Sequence, residues 1–180
     1  IERFHHNESL ATSTNNLIQT GFYLIALGFS FMKMRVNNGH YHQGLGRYIN
    51  DSGLSDNVEW TGWLDESALP DFYQSLDVFV FSSGKEGLGI SGVQALASGT
   101  PVVSTRCGGP EDYVIDNETG YLVDHDGRDM ADAIARIVSS RETRDRLSAH
   151  ARQLAIERYS HARFEQSIAD TWQKTWGDAP

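Results

Sequence analysis

Gly87, Gly89 and Gly92 stand at the spacing G-x-G-x-x-G, directly behind Glu86, between the strand-like run VFVFSS and the helix-like run ISGVQALASG. Glycines at such a junction let backbone amides close on a phosphate, and the helix dipole adds to the attraction. One reading is a dinucleotide fingerprint. That fingerprint belongs in the first βα turn, with its first glycine at the strand end and an acid ~20 residues on to hold a ribose. Here it falls at about the fourth βα unit, the five residues Ser82 to Glu86 intervene, and the next strand-like run, PVVSTR, ends in Arg106. Arg106 would suit a 2′-phosphorylated dinucleotide, so an NADP-binding Rossmann domain stays open as an alternative.

Glu86 favours another chemistry. A carboxylate repels a bare phosphate, but it can grip sugar hydroxyls if the ligand carries a sugar beyond its phosphates. The amides of Leu88, Gly89 and Ile90 would then face a diphosphate. Gln94 lies eight positions after Glu86, and at about 100° per residue this returns it close to the same helical face. Two polar side chains would thus address one extended ligand.

Each residue also has a plainer role. Glu86 could be a solvated loop acid beside Lys85, and Gln94 an exposed helix residue. Gly99, Gly108 and Gly109 read as turn and cap glycines, and Cys107 as a small buried or loop residue. His5-His6 and His40-x-His42 join no Cys or Asp/Glu cluster of metal-binding spacing. The eight arginines from Arg128 to Arg163 are interspersed with Glu142, Asp145 and Glu157, which reads as a salt-laced solvent face before it reads as a membrane-facing one.

The elements that must position this loop follow from hydrophobic periodicity. ERF could be a shortened first strand and LATSTNNLIQTGFYLIALG a helix; FSFMKMRVN alternates like a strand and runs into the turn Asn37-Asn38-Gly39. HQGLGRYINDSGL reads as a glycine-weakened helix, NVEWTGWL as a short strand and DESALPDFYQSLD as a short helix. VFVFSS and PVVSTR are expected to be buried strands, with a helix between them. GGPEDYVID reads as a short helix and GYLVD as the last strand. From Arg128 onward the pattern is helical to the end, with one apolar stripe of Met130, Ile134 and Ile137 and another of Phe164, Ile168, Trp172 and Trp176 that is expected to pack. Alternating short strands and helices imply one α/β domain, a parallel sheet with helices on both faces, and a ligand at the carboxyl ends of the strands.

Composition bounds the function. The 180 residues suit one domain, with 39% hydrophobic and 22% charged residues and a net charge of −9. That charge disfavours a nucleic-acid surface. No apolar run reaches the ~20 residues needed to span a bilayer. One cysteine excludes an intrachain disulfide framework and suits a cytoplasmic setting. The chain begins at Ile1, and it is expected to be a piece of something longer.

FSSGKEGLGISGVQALASGTPVVSTRCGGPEDYVIDNETGYLV resembles the donor-binding signature of the retaining GT-B glycosyltransferases called glycosyl transferases group 1. The likeness consists of a Ser-Ser strand end, E-G-[FL]-G, seven residues between two acidic positions, G-x-P-V-V, and G-G before a short helix that ends in T-G-x-L-V. LSDNVEWTGWLDESALPDFYQSLDVFVFSS resembles the part that precedes it.

The resemblance implies an α/β fold, a Rossmann-like three-layer parallel sheet flanked by helices, forming the C-terminal half of a GT-B glycosyltransferase. Residues 1–160 would bind the nucleotide sugar, and residues 161–180 would form a helix crossing toward a missing N-terminal acceptor domain. It implies Glu86 at the donor sugar as the catalytic residue, and Gly87, Leu88, Gly89 and Ile90 at the diphosphate. Gln94 would sit at the ribose, Gly62 and Trp63 at the start of the base-contacting loop, and Arg3 as a phosphate-facing cation. Two positions depart from the pattern: Gln94 replaces an acid, and Glu8 stands where a lysine is expected.

The implied partners are a nucleoside diphosphate sugar and an acceptor sugar or lipid-linked glycan, with no cofactor, no metal and no nucleic acid. The implied setting is the cytoplasm, compatible with a peripheral position at the inner face of a membrane and with polysaccharide assembly. A GT-B epimerase and a non-catalytic nucleotide-binding module remain alternatives.

Overall fold

A computed structural model describes residues 34–36 and 42–177. ERF, the run LATSTNNLIQTGFYLIALG and the turn Asn37-Asn38-Gly39 lie outside the described residues. In chain order the elements are β1 (Met34–Val36), α1 (His42–Asp51), β2 (Val58–Trp60), α2 (Leu69–Gln74), β3 (Phe79–Phe81), α3 (Ile90–Ala97), β4 (Val102–Thr105), β5 (Gly120–Val123), α4 (Gly127–Val138), α5 (Arg141–Tyr159) and α6 (His161–Trp176). Short 3-10 turns at Ser55–Asn57, Glu66–Ala68 and Gly109–Asp112 join them.

Among the described residues all strand pairing is parallel. Among the described residues the strands form two ladders, β1-β2 and β3-β4-β5, where a single sheet was expected. Register places Met34 opposite Val58, Phe79 opposite Val102, and Val102 opposite Gly120. β4 is buried at every residue, whereas Phe79–Phe81 are only half-buried. VFVFSS is therefore less covered than expected, because among the described residues β3 pairs only with β4 and lies at the rim of its ladder.

The three-layer reading rests on two neighbouring valines. Val102 and Val103 are both 0% exposed, and the two-residue period of a strand sends them to opposite faces. Val102 packs with Tyr73 of α2, Ala95 and Leu96 of α3, Tyr113, and Ala151, Leu154 and Ala155 of α5. Val103 packs with Met130, Ala131, Ile134 and Ile137 of α4 and Leu147 of α5. The predicted stripe of Met130, Ile134 and Ile137 thus forms the second core. Burying such side chains contributes about 1.5–3 kcal/mol each.

The helical tail resolves into three helices, since serines interrupt it. Ser140 accepts from the amide of Thr143 and Ser160 from that of Arg163, while Asp126 accepts from Arg128 and Asp129 to open α4. Ser160 is extended, at φ −68° and ψ 154°, and caps both α5 and α6. Among the described residues the second predicted stripe stays largely exposed, although the Trp172 and Trp176 rings lie 4.7 Å apart. Phe164, Ile168, Trp172 and Trp176 are 53–62% exposed, because α6 leaves the core at Ser160, and its main contact among the described elements is α5.

Buried polar groups are satisfied. The Thr100 hydroxyl donates to the Tyr73 carbonyl, and the Thr119 hydroxyl donates to the Tyr113 carbonyl while accepting from the Ile115 amide. Burial raises the pKa of the Tyr113 phenol, with repulsion from Cys107, Glu86 and Tyr159 adding to it, and burial likewise raises that of Tyr73. Folded phenols therefore keep protons that unfolded ones release near pH 10. Between the unfolded and the raised folded values the unfolded state binds fewer protons, so stability present below about pH 10 falls as pH rises. Urea unfolding from about pH 8 to pH 11 should show this decline, at up to roughly 1.4 kcal/mol per pH unit for each phenol. Tyr113→Phe should flatten it.

Candidate functional site

The glycine loop lies at the carboxyl end of β3 and opens α3. Gly89 caps α3 in the left-handed region, at φ +75°, and supplies no side-chain cap. Its carbonyl accepts from the Gly92 amide at 2.9 Å and the Val93 amide at 3.4 Å. The amides at the start of the helix, at Ile90 and Ser91, have no carbonyl four residues back to bond, which leaves a partial positive charge at the mouth of the loop.

Glu86 is held at this mouth by backbone alone. Its amide donates to the Cys107 carbonyl at 2.8 Å, and its carbonyl accepts from the Gly109 amide at 3.0 Å. Glu86 and Gly108 form an isolated parallel bridge. A Cβ on Gly108 would stand 2.6 Å from the Glu86 carbonyl oxygen, and one on Gly109 would overlap the backbone of Gly87 and Leu88. These two glycines therefore serve close backbone approach as well as a cap; Gly99, at φ +79° behind α3, is the plain cap glycine that was expected. The Glu86 carboxylate folds back to accept from the Gly87 amide at 3.0 Å, so that amide is engaged within the loop.

Gln94 does not share a helical face with Glu86 in the sense the spacing suggested. Glu86 lies in the bridge, outside α3, so a helical count from it has no meaning. Gln94 is half-buried, and its Oε1 accepts from the Tyr73 hydroxyl at 3.2 Å. Its NH2 group is the remaining hydrogen-bonding function.

Sequence reasoning missed Tyr113 entirely. It is 0% exposed, and its hydroxyl donates to the Gly89 carbonyl at 3.0 Å. A Cβ on Gly92 would collide with that hydroxyl. The available signal was an aromatic residue a few positions past Gly108-Gly109, too weak alone to place it under the loop.

Gly62 and Trp63 follow the carboxyl end of β2. Gly62 has φ +64° with open space around it, and the Trp63 ring is 90% exposed. Leu88 and Ile90 are also exposed. Arg3 and Glu8 lie outside the described residues. Arg106 ion-pairs with Asp116 and Asp124, each at 3.7 Å; two carboxylates around the guanidinium disfavour a 2′-phosphate there. Two open depressions of about 620 and 440 Å3 lie elsewhere, at Arg158–Ser167 and beside Arg106, and the glycine loop lines neither. Among the described residues no group of three or more His, Cys, Asp or Glu side chains could hold a metal ion.

Comparison with known proteins gives these features a context. The family model of Glycosyl transferases group 1 matches residues 8–154. The chain is 33% identical over 161 residues to the lipopolysaccharide core biosynthesis glycosyltransferase LpsE of Rhizobium meliloti, covering 89% of this chain and 43% of that protein. It is 30% identical over 143 residues to a GDP-mannose-dependent phosphatidylinositol monomannoside mannosyltransferase of Mycobacterium tuberculosis, covering 75% of this chain and 37% of that one. A solved structure of a mutant of S. aureus TarM in complex with fondaparinux, alpha-GlcNAc-glycerol and UDP superposes with a TM-score of 0.77 at 28% identity, over 89% of this chain and 32% of that one. Anabaena HepE in complex with UDP-glucose shares the fold, with a TM-score of 0.75 at 20% identity, over 89% of this chain and 44% of that one. The chain spans less than half the length of each of these proteins.

Cys107 tests the closeness of the loop to its neighbour. It is 7% exposed, and burial raises its thiol pKa; hydrogen bonds from Thr105 and Ser104 oppose that, while Glu86 and Glu111 add to it. The thiolate is the reactive form. Iodoacetamide at about pH 8 should modify native Cys107 roughly tenfold or more slowly than the urea-unfolded chain, read by intact mass against time.

Proposed function

The chain belongs to the glycosyl transferases group 1 family, and from that premise we propose that it is the donor-binding half of a retaining glycosyltransferase. The reaction would move a sugar from a nucleoside diphosphate sugar to an acceptor hydroxyl. The bond from the anomeric carbon to the diphosphate oxygen breaks, and one to the acceptor oxygen forms on the same face. The acceptor's proton ends on the released diphosphate or in water. Charge grows on the departing diphosphate, so fixed amides aimed at it would stabilise the transition state more than the ground state.

In this reading Leu88, Gly89 and Ile90 present amides to the diphosphate, with Gly87 keeping the approach open. Glu86 orients the sugar, the NH2 of Gln94 reaches the ribose, and Gly62 and Trp63 receive the base. Arg3 would add a cation. No metal is needed, because amides and the α3 dipole supply the positive field. The acceptor, a sugar or lipid-linked glycan, would be held by a further domain toward which residues 161–180 extend. A cytoplasmic setting with peripheral membrane contact suits such an acceptor; no helix among the described residues is long and apolar enough to cross a membrane.

One observation carries this reading over the dinucleotide one. The backbone of Glu86 is pinned by the Cys107–Gly109 segment, which keeps its carboxylate at the mouth of α3, where a bare phosphate site would exclude it and a sugar-bearing diphosphate would use it. Arg106, the residue on which the NADP reading rests, is engaged by Asp116 and Asp124.

Calorimetric titration with UDP, GDP, ADP and NADP+, with and without EDTA, tests it. One nucleoside diphosphate should bind, indifferent to EDTA, and its sugar conjugate should bind more tightly. Glu86→Ala should lose that added affinity, about tenfold for 1.4 kcal/mol, while leaving the free diphosphate's affinity within about twofold. Tight NADP+ binding indifferent to Glu86 would overturn the proposal. Binding of diphosphate with no sugar increment in the wild type would mark a non-catalytic nucleotide module.

A further inference from the structure

The phenol of Tyr113 meets the glycine loop from inside the core. Its hydroxyl donates to the Gly89 carbonyl at 3.0 Å, and the residue is 0% exposed. The Gly89 carbonyl and the Ile90 N–H belong to one planar trans peptide, in which they point in opposite directions. A donor that holds the carbonyl toward the core therefore turns the Ile90 N–H outward, to the mouth of α3. Gly89 has no side chain to cap the helix, and glycine samples left- and right-handed backbone about equally. The first helical bonds, from the Gly92 and Val93 amides, also reach this carbonyl, and the phenol adds a donor from the core side that resists its rotation.

Gly92 is built to admit that anchor. A Cβ there would overlap the Tyr113 hydroxyl and come within 2.9 Å of its Cε2 and Cζ. Glycine is a poor helix former, yet it occupies the third position of α3. The ring itself cannot drift: it lies edge-on to Tyr159 at 6.4 Å, and the Tyr113 backbone bonds Pro110 and Thr119. The same segment, through Cys107 and Gly109, grips Glu86. One stretch of chain thus holds both ends of the loop.

We propose that Tyr113 is a positioning residue: seated in the space left by Gly92, it fixes the Gly89–Ile90 peptide so that the first amides of α3 meet the diphosphate of the donor. This rests on the donor-site reading for its ligand, and on the structure alone for its geometry. A phenol is protonated throughout the neutral range, and burial raises the pKa of this one further.

Tyr113→Phe keeps the ring and removes only the hydroxyl. Two readings of the variant separate positioning from packing. By hydrogen exchange in the free protein, the amides of residues 89–93 should exchange at least about fivefold faster than in the wild type, while α4 and α5 stay unchanged. By calorimetry, the ratio of UDP to UMP affinity should fall about fivefold, with UMP binding unaltered; GDP and GMP replace them if the wild type prefers guanine. Gly92→Ala, which displaces the hydroxyl without removing it, should lower the same ratio and serves if Tyr113→Phe does not fold. Unchanged exchange together with an unchanged ratio in either variant would overturn the proposal. A wild type that binds no nucleoside diphosphate removes the donor reading instead, and the exchange measurement then decides alone whether Tyr113 sets the loop.

Discussion

Two backbones lie against each other at the carboxyl edge of the β3-β4-β5 ladder, with no side chain between them. Residues 86–88 run beside residues 107–109, joined by the Glu86 amide, the Glu86 carbonyl and the Gly109 amide. Any Cβ at 108 or 109 would strike this neighbour. The rest of the site depends on that contact. It fixes the backbone of an acid at the mouth of α3, where the helix dipole favours negative charge, and it ties the loop after β3 to the loop after β4. Because β3 and β4 are adjacent and parallel, their carboxyl ends arrive side by side. A short approach of the two loops is then geometrically cheap.

The sheet makes that edge rigid from both sides. Val102 and Val103 send one side chain to each layer, so β4 cannot shift along its axis without disturbing two cores at once. A slip of one residue would exchange their faces. α3 packs against α5 and α2, with Ala95 and Leu96 fully buried, which fixes the direction of its dipole. The net charge of −9 does not preclude an anionic ligand here. What matters at 3 Å is the orientation of a few amides; distant exposed carboxylates are screened within a Debye length of about 8 Å at physiological salt.

Much of this was legible in the sequence, and the omissions have physical causes. The alternation of short apolar runs with helical stretches gave the parallel α/β architecture, and Met130, Ile134 and Ile137 are buried as their spacing implied. Residues 164, 168, 172 and 176 have equally regular spacing and are exposed, since periodicity defines a face and says nothing of what covers it. The kink at Ser160 that turns this face away was hidden in a continuous helical pattern, because one extended residue suffices to break it. Glu86 was legible because an acid repels the bare phosphate that a glycine loop would otherwise cradle, and so needs a reason. Its assumed helical relation to Gln94 was not sound: a count of 100° per residue presupposes that both ends lie in the helix, and α3 starts four residues after Glu86. Tyr113 was illegible for a different reason, since its partner lies 24 residues away in sequence and tertiary contacts of that kind leave no periodic trace.

The three glycines of G-x-G-x-x-G show how one spacing can arise from separate constraints. In a dinucleotide site all three serve the same ligand and the helix behind it. Here Gly87 has open space where a side chain would go, Gly89 needs the left-handed region and lies under a phenol, and Gly92 makes room for that phenol's hydroxyl. Only the first two border the loop's outer face; the third looks inward, to Tyr113. A pattern match sees identical letters, while the structure separates a glycine with open space before it from one that admits a side chain. On the proposed donor reading, what separates a sugar nucleotide from a dinucleotide is therefore not the glycines but the carboxylate in front of them, which accepts from the Gly87 amide here and would meet hydroxyls beyond the phosphates.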